Sequence, residues 1–206
     1  MVRAGEHPSA AARTQISRER ILDAAVRCLV EYGYSGATTL RIQALAGVSR
    51  GGLLHHFGSR DELLVGAAHH LADERIAAQS AAVPKRMHAA DDDPARIDEA
   101  VSAMWSDFSQ PFFWAAVELW VAARHNPELR AVLAPTERLL ARRIHTTLDA
   151  LFGPVWSSRP RYRTTVEVLV TSMRGAALTY GFQDRRPTRD PRLPLWRETA
   201  RALLIG

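Results

Sequence analysis

Cysteine, lysine and long apolar runs are scarce in this sequence, and each scarcity excludes a class of protein. Cys28 is the single cysteine among 206 residues, which excludes an internal disulfide and a zinc site built from several thiolates. No apolar run reaches the roughly 18 residues that a membrane-spanning helix needs, and no signal-peptide pattern opens the chain. These features predict a cytoplasmic protein.

Positive charge is carried almost entirely by arginine, because Lys85 is the only lysine. The chain has 27 basic and 22 acidic residues, so its formal net charge is +5. This balance is compatible with an anionic partner, and arginine suits the bidentate recognition of phosphate and guanine. The same arginine bias is also expected from a GC-rich genome.

Apolar residues recur at spacings of three and four along most of the chain, and no β-strand alternation is found. This period is typical of amphipathic helices and predicts an all-α fold. Residues 1–15 lack the period and are expected to form a flexible arm. The first stripe then runs from Ser17 to a helix end at Gly33, and consists of Ile21, Leu22, Ala25, Cys28, Leu29 and Tyr32.

Two short helices joined by a glycine-containing turn are predicted next, which is the helix-turn-helix pattern. Thr38 is expected to cap the first, whose apolar side is Leu40, Ile42 and Leu45. Gly47 and Val48 form the turn, and Ser49 caps the second helix, which ends at Phe57. A longer helix follows to about Ser80, because Ser59 and Glu62 have the spacing of a capping box.

The remaining sequence predicts further helices without a comparable motif. Asn126 and Pro127 begin a helix that Pro135 is expected to kink or divide, and that ends at Gly153. Two more helices follow, from about Arg161 to Phe182 and then through Trp196.

The segment from Arg18 to Leu64 resembles the DNA-binding domain of the TetR family of bacterial transcriptional repressors. The matching stretches are ILDAAVRCLVEYGY, TTLRIQALAGVS and RGGLLHHFGSRDELL. The resemblance implies a three-helix DNA-binding domain over residues 16–62 and a larger helical domain for ligand binding and dimerisation over 63–206. It further implies a homodimer formed through the last two long helices. The residues expected at this contact are Gly175, Ala176 and Ala177, which permit close approach, and Val166, Leu169, Val170, Met173 and Leu203, which supply apolar area.

The resemblance and the chemistry of helix N-termini together predict a set of DNA-binding residues: Thr38, Thr39, Ser49, Arg50, Gly51, Gly52, Leu54, His55 and Arg60. Glycines at 51 and 52 would let backbone approach DNA closely, or reflect drift at an exposed first turn. Arg50 is the candidate for reading guanine, with a phosphate contact or a solvated side chain as the alternatives. By resemblance His55 faces DNA while His56 packs inward. Leu54 stands where many family members have a tyrosine that contacts phosphate.

A ligand site is predicted in the larger domain, where aromatic residues are concentrated. Its expected residues are Trp105, Phe108, Phe113, Trp114, Glu118 and Met173. The aromatic side chains suit an apolar ligand, but would equally serve as core packing. Glu118 lies in an apolar run and is expected to meet an arginine such as Arg124 or Arg174, or else a ligand.

The predicted function is sequence-specific transcriptional regulation. By resemblance the chain is a repressor released from a palindromic operator by a small, largely apolar inducer, which is unidentified. The alternative is an architectural DNA-binding protein without a ligand, which would bind any duplex similarly. No catalytic constellation, cofactor motif or metal-ligand spacing is found in the sequence, so no enzymatic activity, cofactor, metal site or membrane partner is expected.

Overall fold

The structure, a computed structural model, describes residues 10–182 and 190–206, and all regular elements within these ranges are helical. The predicted all-α class is therefore confirmed. The α-helices of the described ranges are α1 (Ala10–Gly36), α2 (Thr39–Ala46), α3 (Arg50–His56), α4 (Arg60–Arg86), α5 (Ala95–Asp107), α6 (Pro111–Ala123), α7 (Pro127–Ser157), α8 (Tyr162–Leu178) and α9 (Leu193–Ile205). One 3-10 turn, Thr179–Gly181, follows α8.

The chain divides into two compact units that do not follow the order of the sequence. The first unit contains Met1–Ala72 together with Trp114–Arg138, and the second contains Asp73–Phe113 together with Leu139–Gly206. The helix-turn-helix segment thus shares a unit with α6 and the beginning of α7. No helix in the described part of the chain has the length and apolarity needed to cross a membrane.

The core of the first unit forms around the predicted stripe of α1. Its members Ile21, Leu22, Ala25, Cys28 and Leu29 have no exposed surface, and burying a large apolar side chain stabilises by about 1.5–3 kcal/mol. The stripe is shorter than predicted at its end, because half of Tyr32 is exposed. Helix α6 and the first turns of α7 complete this core with Ala115, Leu119, Ala123, Leu129 and Leu133.

The apolar side predicted for α2 is partly wrong. Ile42 and Ala46, four residues apart, face the core, whereas Leu40 is 75% and Leu45 40% exposed. A helix of two turns has room for only one buried pair at this spacing. The two leucines therefore remain on the surface of the helix-turn-helix segment.

Several helix boundaries differ from the predicted ones. Residues 1–9 of the predicted arm lie outside the described residues, and residues 10–15 belong to α1. Helix α4 continues six residues beyond Ser80 and ends with exposed Lys85 and with Arg86. Pro135 does not divide α7, because it lies on the exposed side, where water can satisfy the carbonyl that loses its N–H partner.

The break in α7 occurs at the predicted Gly153, whose φ is 79°. Such a backbone favours glycine, since side chains rarely tolerate it. The buried guanidinium of Arg96 donates to the carbonyls of Leu151 at 2.6 Å, and of Ala150 and Ala89 at 3.2 Å. The carbonyls freed by the break are thereby satisfied inside the second unit.

Candidate nucleic-acid interface

Both helices of the helix-turn-helix begin at the predicted caps. The Thr38 hydroxyl accepts a hydrogen bond from the Arg41 N–H at 3.3 Å, and the Ser49 hydroxyl accepts one from the Gly52 N–H at 3.1 Å. Gly47 ends α2 in the left-handed conformation, with φ 64°. The cap residues and the turn glycine fix where α3 starts relative to α2.

Helix α3 buries one side and presents the other to solvent. Leu53 and Phe57 are 1% and 7% exposed and attach the helix to its unit, and the Arg18 guanidinium lies 5.6 Å from the centre of the Phe57 ring. The exposed residues of the segment are Ser49, Arg50, Gly51, Leu54 and His55. Five predicted DNA-binding residues therefore share the accessible surface of one short helix and its cap.

Neither glycine of α3 is required by the fold of the protein itself. Both have negative φ angles, unlike Gly33, Gly47 and Gly153. A Cβ atom at Gly51 would meet only the Ser49 hydroxyl, at 4.0 Å, and one at Gly52 would lie 3.5 Å from the same oxygen. Alanine would fit at either position, so the glycines do not reflect an internal steric need.

Arg50 lies in the first turn of α3, with its side chain exposed. Its guanidinium makes no hydrogen bond or ion pair with another described residue. Other arginines of this unit have protein partners: Arg20 donates to the Ala46 carbonyl at 2.6 Å, and Arg41 to the Gly36 carbonyl at 2.5 Å. No described residue thus occupies the donors of Arg50, which suit an external acceptor.

The two histidines of α3 differ in environment, as the resemblance implies. His55 is exposed, whereas His56 is half-buried between the rings of His55 and Phe57, with centroid distances of 5.3 and 6.3 Å. Burial lowers the pKa of His56, and the charges of His55 and Arg18 lower it further. His56 is therefore expected to remain neutral and to pack.

Arg60, a predicted phosphate contact, directs its guanidinium toward other residues of the protein. Its Nε donates to the Ala37 carbonyl at 3.0 Å, its Nη2 donates to the Tyr34 carbonyl, and its guanidinium stacks on the Tyr34 ring at 4.3 Å. Most of its donors thus hold the α1–α2 turn. Thr39, another predicted phosphate contact, is half-buried at the start of α2.

The predicted capping box at the start of α4 is present in a shifted form. The Ser59 hydroxyl accepts from the Glu62 N–H at 3.1 Å, as expected. The Glu62 carboxylate reaches back one residue further, to the Gly58 N–H at 3.1 Å. The box therefore joins the end of α3 to the beginning of α4.

A polar network joins the helix-turn-helix segment to the α6–α7 junction, and the sequence did not predict it. The Tyr34 hydroxyl donates to Asp61 Oδ1 at 2.7 Å, while Asn126 Nδ2 lies 3.0 Å from the Tyr34 hydroxyl and 3.3 Å from Asp61 Oδ2. Asn126 Oδ1 also caps α7 by accepting from the Leu129 N–H at 3.0 Å. Burial and the bond to Asp61 raise the pKa of the Tyr34 phenol, so it stays a donor at neutral pH.

Glu118 belongs to the same region and has a partner that neither predicted alternative named. Its Oε2 accepts from the Tyr34 backbone N–H at 2.9 Å and would lie 2.9 Å from a Cβ atom at Gly33. Gly33 has φ 66°, so the chain leaves the regular part of α1 there, and the carboxylate caps the exposed backbone. Pairs separated by more than 80 residues leave no local pattern, which is why the sequence did not reveal them.

The other predicted ligand residues are divided between the two units. Trp105, Phe108, Phe113 and Met173 lie in the second unit, whereas Trp114 and Glu118 lie in the first. Within the second unit Phe108 contacts Trp105 and Phe113, with ring centroids 6.0 and 5.3 Å apart. Trp196 and Tyr180, which were not predicted, extend this aromatic cluster from Trp105 at 4.7 and 6.0 Å.

The second unit also contains a cavity of about 420 Å³ that involves none of the predicted ligand residues. It is called the arginine cavity below. Its polar lining residues come from the end of α4, the following loop, α5 and α9, and are Arg86, His88, Asp98, Glu99, Ser102 and Arg197.

An exposed short helix that follows a capped glycine turn, among helices throughout the described residues, has the arrangement of the helix-turn-helix motif found in DNA-binding proteins. The sequence profile of the family described as "Bacterial regulatory proteins, tetR family" matches residues 21–67. The chain is 32% identical to the HTH-type transcriptional regulator BetI of Burkholderia mallei over 142 residues, which cover 68% of this chain and 69% of that protein. The chain belongs to the TetR family.

Two further similarities cover more of the chain. It is 28% identical to the HTH-type transcriptional repressor AcnR of Corynebacterium efficiens over 84% of this chain and 82% of that protein. The crystal structure of the multidrug binding protein EbrR complexed with ethidium has a TM-score of 0.63 and 26% identity, covering 91% of this chain and 97% of that one. BetI and AcnR are thus both named as HTH-type transcriptional regulators or repressors, whereas EbrR is named as a multidrug binding protein.

Proposed function

We propose that this protein is a homodimeric repressor that binds a palindromic operator and is released from it by a small, largely apolar ligand. The observation that carries the proposal is the exposed tip of α3. It combines a capped N-terminus, two glycines that the fold does not require, and an arginine with no partner among the described residues. In a helix-turn-helix this end of the second helix contacts base edges in the major groove.

The proposed DNA contacts have separate roles. Arg50 reads a base pair, Gly51 and Gly52 bring the backbone close to the duplex, and Leu54 and His55 lie alongside. Thr38 and Ser49 act first as helix caps, with a phosphate contact as their second role, and Thr39 is a further phosphate contact. We assign Arg60 a positioning role, since its guanidinium holds the turn that precedes α2.

Replacing Arg50 by alanine is expected to weaken discrimination more than general affinity. A bidentate arginine–guanine pair contributes about 1–3 kcal/mol against the wrong base, so preference at one or two base pairs should fall roughly tenfold or more. Fluorescence anisotropy would compare the selected operator with single-base variants. Arg142→Ala, an exposed arginine of α7, is the control and should change neither quantity. An unchanged base preference in the Arg50 variant would refute the reading role.

The proposed dimer contact is the exposed side of α8, which retains the predicted Gly175 but otherwise differs from the residues predicted for it. Val166, Leu169, Met173, Ala176 and Ala177 were expected to contribute, but they are buried within the second unit. The exposed side instead carries small and apolar residues at helical spacing: Val168, Thr171, Gly175 and Leu178. A Cβ atom at Gly175 would meet nothing within 4 Å, so close approach of a second copy is sterically open there.

The aromatic cluster of the second unit supports a site for an apolar ligand. Phe108 is only half-buried, although Trp105 and Phe113 on either side are 3% and 4% exposed. EbrR, a structural relative, is complexed with ethidium, which is an aromatic molecule. We assign Trp105, Phe108 and Phe113 to this site, with Met173 of the same unit as a further candidate, and assign Glu118 to the capping of α1.

The network around Tyr34 is proposed to hold the helix-turn-helix segment next to the α6–α7 junction. Tyr34→Phe removes a hydroxyl shared by Asp61 and Asn126, and should lower the free energy of unfolding by about 1–2 kcal/mol. Operator affinity should fall several-fold, because the α1–α2 turn and the start of α4 lose their common partner. Denaturant unfolding and anisotropy would measure the two effects. Tyr32→Phe, an exposed tyrosine two residues earlier, is the matched control, and equal behaviour of the two variants would contradict this role.

The proposal as a whole is tested by selecting the DNA sequences that the protein binds and by measuring whether ligands release it from them. Enrichment from random duplexes should yield an inverted repeat with half-sites about 34–36 Å apart. Aromatic compounds that raise the melting temperature of the DNA-free protein should then weaken operator binding. A lack of any enriched sequence would favour the architectural alternative. Equal operator affinity with every such compound would remove the release step alone.

A further inference from the structure

The arginine cavity has the chemistry of a binding site, and it is separate from the aromatic cluster. Its volume of about 420 Å³ lies within the range of small-molecule pockets. Both of its arginines donate only to neutral hydroxyls among the described residues. Arg197 reaches the Ser102 hydroxyl from Nη2 at 2.7 Å and from Nε at 3.2 Å, and Arg86 reaches the Ser106 hydroxyl at 3.3 Å.

The carboxylates that line the cavity do not pair with these arginines. Asp98 Oδ2 is bound to Arg201 at 2.7 Å, and Glu99 Oε2 accepts from the backbone N–H groups of His88 and Ala89 at 2.9 and 3.2 Å. Burial raises the pKa of Asp107, and the nearby charge of Arg86 offsets part of this rise, but the Asp107 carboxylate is bound to Gln79 and Arg75. The two arginines that line the cavity therefore have no bound carboxylate among the described residues. Guanidinium groups favour such partners strongly, because paired N–H donors match the two oxygens.

Asp98 supplies an anionic hydrogen-bond acceptor, the counterpart of the two cationic arginines. Its Oδ1 is buried and has no hydrogen-bond partner among the described residues. A buried acceptor without a donor costs free energy, which a bound donor would recover. The cavity thus combines two guanidinium groups, bound only to serine hydroxyls among the described residues, with one unsatisfied anionic acceptor.

We propose that the arginine cavity binds a small organic zwitterion, whose carboxylate pairs with Arg86 and Arg197 and whose ammonium group donates to Asp98. This site goes beyond the proposed function and does not depend on it, because its binding requires neither operator DNA nor the apolar ligand. A bound zwitterion would join the end of α4 to α5 and α9.

The test uses four probes that differ only in their charged groups. Isothermal titration calorimetry of the full chain without DNA would compare 2-aminopentanoate, 5-aminopentanoate, pentanoate and pentylamine at millimolar concentrations. At least one aminopentanoate should bind more tightly than both singly charged probes. Comparable affinity for pentanoate would refute the role of Asp98, and absence of heat from all four would overturn the site.

Variants locate the binding in the cavity. Arg197→Gln and Arg86→Gln should each lower the affinity for the zwitterion about tenfold or more, because each removes a charged hydrogen-bonded pair. Asp98→Asn should remove the preference for the zwitterion over pentanoate. Arg142→Gln is the control for the general loss of an arginine, and thermal unfolding identifies any variant that fails to fold. Undiminished binding by folded Arg86 and Arg197 variants would overturn the assignment, while operator binding serves as the separate readout of the proposed function.

Discussion

Replacing Gly51 and Gly52 together by alanine is expected to stabilise the protein and to weaken operator binding strongly. Glycine in a helix costs about 1 kcal/mol relative to alanine, so the free energy of unfolding should rise by up to about 2 kcal/mol. The new Cβ atoms have room inside the protein, since the nearest atoms lie at 3.5–4.0 Å. The same atoms would stand between the helix backbone and the duplex, and operator affinity should fall about a hundredfold if each costs roughly one backbone contact.

The opposite signs of the two effects make this test specific. Loss of folding would lower both the free energy of unfolding and the operator affinity. If the glycines were present only by drift, the double variant would be more stable and its operator affinity would be unchanged. Gly66→Ala, in the same unit, is the matched control, because a Cβ there makes ordinary contacts at 3.8 and 3.9 Å. It should stabilise α4 without changing DNA binding. Operator affinity of the double variant equal to that of the Gly66 control would refute the close approach.

Gly175→Glu is expected to abolish the dimer and, with it, most of the operator affinity. The position is exposed and nothing lies within 4 Å of its Cβ, so the isolated protomer should fold and gain helix propensity. In a dimer packed on this side of α8 the two carboxylates would face one another across the interface. Two linked DNA-binding domains bind about 10²–10⁴ times more tightly than a single one, so operator affinity should fall by a factor of this size.

Light scattering and anisotropy would measure the two consequences. Ala141→Glu puts the same charge on an exposed position of α7 and should remain dimeric, which makes it the control. A Gly175→Glu protein that elutes as a dimer and binds the operator normally would show that the contact lies elsewhere. Gly175→Ala adds a single methyl group and should give an intermediate affinity.

The sequence predicted those parts of the fold that depend on local chemistry. Thr38, Ser49 and Ser59 were correctly identified as caps, because a cap and its N–H partner lie three residues apart. The break at Gly153 follows equally from one residue. The side of α2 that is buried could not be decided, since a two-turn helix with three apolar residues is compatible with more than one face.

The sequence predicted which residues form the candidate site, but not the long-range hydrogen bonds that hold these residues in place. Exposure of Arg50 and Leu54 follows from the period of α3. The bonds from Glu118 and Asn126 to Tyr34 connect residues 84 and 92 positions apart, and only the folded chain brings them together. The same holds for the side of α8 that remains exposed, because the stripe with the larger apolar residues, Val166, Leu169 and Met173, was needed for the core of its own unit.

The exposed Lys85 next to Arg86 makes the protein suited to selective fluorescent labelling. An amine-reactive dye has only this side chain and the amino terminus as targets. Cys28 is fully buried and burial raises the pKa of its thiol, so a cysteine introduced at His55 would react alone with a maleimide. A donor at Lys85 and an acceptor at position 55 would report by energy transfer how the spacing along α4 and α3 responds when the arginine cavity is filled.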